Sequence, residues 1–106
     1  MNIAQDLIFI INQVSEIERK AARLTEKNSI SRNTQRLIEK FAELGFEVHD
    51  PLGEAYSDTR TDCEASIAGD SLHNLRITDV IKPIIRQRHG GTTMIVQKGV
   101  VVVSGS

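Results

Sequence analysis

Four side chains in this 106-residue chain carry reactive or metal-binding chemistry of their own: Cys63, His49, His73 and His89. A thiolate and imidazoles are zinc ligands, but structural zinc sites draw on close pairs a few residues apart, and these four lack that spacing. Surface histidines and a small, half-buried thiol are the plainer reading. As a nucleophile Cys63 would need a base beside it, and no local signature supplies one. The run His89-Gly90-Gly91 has the composition of an oxyanion loop, but no G-x-S-x-G elbow accompanies it and the chain is too short for that fold. It reads instead as a hairpin turn. Leu52-Gly53-Glu54 is not a phosphate loop, because no G-K-[ST] follows. Asp58, Asp62 and Glu64 sit in or beside a loop, where solvated charges are expected, since a catalytic carboxylate pair requires a pocket. The residue types therefore predict no catalytic side chain, no metal and no cofactor.

Composition points toward protein partners. The net charge is -1 and aromatics make up 4% of the chain, with no Trp. Both argue against nucleic acid, which is met by basic surfaces and stacking rings. The basic cluster of Arg86, Arg88 and His89 is too small for such a surface. A lone cysteine cannot close an internal disulfide, so a reducing compartment is expected. No stretch approaches the roughly 18 apolar residues of a membrane span. The start, MNIAQDLIFIINQ, has an acidic residue and no basic segment ahead of its apolar run, unlike a signal peptide. These points predict a cytoplasmic location, with no membrane and no nucleic acid as partners.

The elements that must position any site divide into a helical half, residues 1–45, and a strand half, residues 46–106. Ile3, Leu7, Ile10, Val14, Ile17, Ala21 and Leu24 alternate steps of four and three, an apolar seam of heptad period. Ile8, Phe9 and Ile11 widen it near its start, so that end faces more than one neighbour. The segment NSISRN, 28–33, is rich in cap formers. A second pattern follows in Ile30, Thr34, Leu37, Phe41 and Leu44, with Ile38 beside it and Gly45 placed as a C-cap. Two short amphipathic helices bury their stripes poorly alone. Pairing with a second copy into a four-helix bundle, through Ile3, Leu7, Ile10, Val14, Ile17, Leu24, Leu37 and Phe41, would cover them. Beyond Gly45, FEVHD looks extended and PLGEAYSDTRTD reads as a polar loop. Short β-like runs then lead to Val100–Val103, with Pro83 marking an edge or bulge and Gly99 a bulge. The fold class expected is α+β, a helical hairpin followed by a small all-β domain.

Four stretches together resemble the GrpE family, the nucleotide exchange factors of DnaK-type chaperones. DLIFIINQVSEIERKA, 6–21, is similar to the family's first bundle helix. TQRLIEKFAELGFEVHDPLGE, 34–54, is similar to its second, running into a glycine, an extended segment and a proline-containing loop. VIKPIIRQRHGGTTMIVQKGVVVVS, 80–104, resembles its closing hairpin, and DCEASIAGD, 62–70, falls where the family has a His-Glu-Ala strand. Cys63 replaces that histidine, and the family's long N-terminal helix has no counterpart, so the likeness is to a shortened form. The resemblance implies a homodimer whose β-domain wedges against the ATPase domain of a DnaK-type chaperone and promotes ADP release without bond chemistry. It implies partner contacts at Gly45, Glu64, Ala65, Ile81, Ile84, Arg86, Met94 and Val96. Alternate residues of Val100–Val103 join them, Val100 and Val102 being the candidates, while the sequence leaves open which valines face outward. The alternative is a GrpE-like dimeric adaptor, or a structural subunit of another complex, without exchange activity.

Overall fold

The computed structural model describes residues 3–24 and 29–106. Asn28, the expected first residue of the cap segment, lies outside the described residues. Among the described residues two helices precede six strands, so the class is α+β. Helix α1 spans Ile3–Ala22, with Asp6 in its first turn and Arg19 and Lys20 in its last, charges that complement the helix dipole. Helix α2 spans Ile30–Glu43. Ser29 is its N-cap but makes no side-chain cap bond. Thr34 Oγ1 instead donates to the Ser31 carbonyl at 3.0 Å. At the other end the chain turns through Gly45, whose φ of +95° suits a residue without a Cβ. The Gly45 amide donates to Ala42 O at 3.0 Å. No helix among the described residues is long and apolar enough to cross a membrane.

The strands form two three-stranded sheets. In the first, β1 (Phe46–His49), β4 (Ile84–His89) and β5 (Thr92–Gln97) run antiparallel in the order β1-β4-β5. In the second, β6 (Gly99–Ser104) lies between β2 (Cys63–Ala68), parallel to it, and β3 (Arg76–Lys82), antiparallel. The sequence run LRITDVIKPIIRQ is thus not one edge strand. Pro83, which cannot donate to a ladder, separates β3 from β4, and the chain crosses there from one sheet to the other. The expected glycine turn closes β4 on β5, with Gly90 at φ +65°. The valines, however, do not pair with the preceding strand as the closing-hairpin likeness implies; they occupy the centre of the second sheet. Gly99 opens β6 rather than bulging it, and the irregular register falls in β3 and at Ile85/Arg86.

Two cores result. One joins Ile11 and Val14 of α1, Phe41 of α2, and Phe46 and Ile85 of the first sheet, with Leu7, Ile8, Ile38, Val48 and Val96 around it. The core therefore runs through the expected boundary at residue 45. Asn12 and Gln97 reinforce the packing by exchanging amide hydrogen bonds of 2.9 and 2.8 Å, and Gln97 also donates to the Pro83 carbonyl at 2.9 Å. The second core gathers Cys63, Ile77, Val80, Val101 and Val103, together with Ile84, which reaches in from β4. Gly99 fits beneath it because a Cβ there would stand 3.0 Å from Ile84 and 3.1 Å from the Cys63 sulfur.

Candidate functional site

The apolar seam of the helices is split between two faces. Leu7, Val14 and Ala21 turn inward, as do Thr34, Ile38 and Phe41 on the second helix. Ile3, Ile10, Ile17 and Leu24 turn outward, as do Ile30, Leu37 and Leu44, each 44–66% exposed. Both outward sets repeat every seven residues, so each helix region presents a straight apolar strip to solvent. Val14 and Phe41, expected at a dimer seam, are spent instead inside the chain, where the first sheet covers them.

A second surface is the open face of the second sheet. Strand alternation buries Val101 and Val103 and leaves Val100 and Val102 half-buried on the opposite side. The register sets Glu64 and Lys82 on either side of Val100, and Ser66 and Asp79 on either side of Val102. The result is a small apolar centre flanked by acidic, basic and hydroxyl groups. Glu64, Val100 and Val102, three of the residues singled out for partner contact, meet on this face. Lys82, Asp79 and Ser66 join them only through pairing across β6, which no sequence signal announces.

The other expected contacts lie elsewhere. Ala65 is on the inner side, packed against the second core. Ile81 is exposed at the β3 edge, where its carbonyl accepts from Arg19 Nη2 at 3.1 Å. Ile84 is corrected: it is 0% exposed, because the chain crossing at Pro83 drives its side chain into the second core, and it offers no contact surface. Met94 is exposed on β5, whereas Val96 packs toward the helices. Gly45 sits at the helix–strand junction, its carbonyl accepting from the Arg88 amide at 2.8 Å.

Arg86 faces neither surface freely. It belongs to a closed ring of five side chains. Arg86 Nη1 lies 3.2 Å from His49 Nδ1, and His49 Nε2 lies 2.6 Å from Glu54 Oε2. Arg60 Nη2 donates to Glu54 Oε1 at 2.7 Å and its Nε to Asp62 Oδ1 at 2.5 Å. Arg86 Nη2 returns to Asp62 Oδ2 at 3.3 Å. Asp62 is thus no solvated loop charge. The Arg60 hydrogen bond, opposed by burial, holds its carboxyl below the ordinary range. Burial pushes the Glu54 carboxyl up, but hydrogen bonds from Arg60 and His49 and the charge of Arg60 outweigh it and bring it down. Next in the chain, Cys63 is buried, and burial raises its thiol against the pull of Arg60, which keeps it protonated and unlike a nucleophile. His73 and His89 are exposed.

Among the described residues no group of three or more His, Cys, Asp or Glu could hold a metal ion. A cleft of about 640 Å³ opens between the helices and β3, lined by Ile38, Val48 and Val80 and by charges from Glu18 to Asp79. Its charges are engaged: Arg23 pairs with Asp79 at 3.8 Å and Glu18 accepts from Gln35. No protein family, curated protein or solved structure matches this chain.

Proposed function

We propose that the chain is a GrpE-like co-chaperone that dimerises through its helices and promotes ADP release from a DnaK-type chaperone ATPase. The observation that carries the reading is the presence of two separate surfaces on one chain: the heptad-spaced strips of the helices, and the open face around Val100 and Val102. The first suits a second copy, because an equal seven-residue period lets two helix pairs interdigitate. The second suits a larger partner, while the resemblance supplies the partner's identity. Exchange then requires no catalytic group. A factor that binds the open, low-affinity state of the ATPase more tightly than the closed one lowers nucleotide affinity by linkage.

The test is loss of fluorescent ADP from a DnaK-type ATPase of the same source, followed by stopped flow. Acceleration is expected, reduced by Val102→Asp on the open face. No acceleration at saturating protein would remove the reading. One observation favours the adaptor as a second reading: Cys63, at the position of the family's histidine, is turned into the core and leaves a partner nothing to touch there. Dimer formation and partner binding without faster ADP loss would select it.

A further inference from the structure

We propose that the five-residue ring is an acid-sensitive latch between the two sheets, with His49 as its trigger. The ring spans the molecule's internal seam. His49 and Arg86 belong to β1 and β4 of the first sheet. Asp62 is fastened to the second sheet through its carbonyl, which accepts the Gly99 amide at 2.9 Å, and Glu54 through its own, which accepts the Ile77 amide at 2.9 Å. The chain crossings at Pro83 and Lys98 and the side chain of Ile84 also join the two sheets, and the ring adds a polar tie beside them.

The protonation state of His49 follows from its partners. A guanidinium has donors and no acceptor. Arg86 therefore donates to Nδ1, which must carry a lone pair, and Nε2–H donates to the Glu54 carboxylate. The latched state requires neutral imidazole in a single tautomer. In that state the ring balances two guanidinium charges against two carboxylates. Protonation adds a third positive charge, placed on the nitrogen that faces Arg86. It removes the acceptor and sets two cations in contact. The charged groups around His49 are Glu54 and Arg86 directly, then Arg60 and Asp62 one contact further round the ring. Glu54 keeps its bond to Nε2 in either state, so the break is directed to the Arg86 side. Arg86 is then left with Asp62 alone. Loss of the Nδ1 acceptor on protonation is what opens the latch.

The test uses the unmodified chain first. Imidazole nitrogen NMR at pH 7.5 should report the Nε2–H tautomer. On acidification, Arg86 and Asp62 signals should move with the midpoint of His49. The Gly99 amide, corrected for intrinsic pH dependence, should exchange about tenfold faster, as expected for losing one hydrogen bond to a charged group. His49→Gln supplies a neutral stand-in, its oxygen accepting from Arg86 and its amide donating to Glu54, and should abolish the response between pH 5 and 8. An Nδ1–H tautomer at pH 7.5 would overturn the proposal, as would a titration of His49 that leaves Arg86 and Asp62 unmoved. An unchanged pH course of Gly99 exchange in the glutamine variant would also overturn it.

Discussion

Ile10 and Ile11 are adjacent in sequence and chemically identical, yet truncating them should have opposite consequences. Ile11 is 0% exposed in the core between α1 and the first sheet, and Ile10 is 47% exposed on the outward strip. Ile11→Ala leaves a cavity in a packed core and should cost the fold about 3 kcal/mol, within the usual range for such truncations. Ile10→Ala removes surface that the single chain leaves half in water, so its effect on folding of the chain should stay under about 1 kcal/mol. In the proposed dimer the remaining half of Ile10 is covered. Full burial of such a side chain is worth about 1.5–3 kcal/mol, so half is about 1 kcal/mol. Symmetry counts it twice, and about 2 kcal/mol corresponds to a dissociation constant weakened roughly 30-fold. Sedimentation over a concentration series measures the dissociation constant. Urea unfolding at one fixed protein concentration measures stability, since dimer stability depends on concentration. A wild-type monomer at micromolar concentration, or a dimer indifferent to Ile10→Ala, would refute the role of the strip. Equal loss of folding stability in both variants would refute the assignment of faces.

Two further outcomes follow from the geometry. Asp62 is held below its ordinary carboxylate range by Arg60, so it contributes stability that is present above the unfolded-state value near 3.9 and lost as pH falls through the lower folded-state value. Asp62→Asn should cost about 1–3 kcal/mol at pH 7 and flatten the loss of stability on acidification. Urea midpoints at pH 7 and pH 3 check this, and an unchanged difference between them would contradict it. Gly45→Asp places a Cβ 3.3 Å from the Arg88 carbonyl at φ +95°. It should cost roughly 1–2 kcal/mol and weaken binding to the chaperone ATPase domain while the helices still pair. Equal partner affinity in a titration would dismiss the junction's role.

Much of the architecture was legible in residue spacing. The steps of four and three from Ile3 to Leu24 specify a helix, because those positions share one side of it. The Leu44–Gly45 pair marks its successor's end, because glycine accepts a positive φ without strain. The β-branched run Val100–Val103 specifies a strand, although four identical residues do not say which face is inward. The site was less legible. Nothing in the spacing separates Ile10 from Val14, since both sit on the seam and both are apolar. The first sheet makes the distinction by covering one row and not the other. Ile84 looked like surface because the run around Pro83 reads as a single strand; its burial depends on which sheet each half joins. The ring was out of reach altogether. Arg86 comes to His49 only because β4 pairs with β1, and no local pattern records a pairing across so much chain.

The amino-acid order alone thus determined the kinds of element, their sequence along the chain and the absence of close-spaced metal or nucleophile motifs. Tertiary structure decided which apolar row is core and which is strip, which valines look outward, and which charges meet. The physical reason is that periodicity states which side chains share a face. What that face meets is set by contacts between segments distant in sequence.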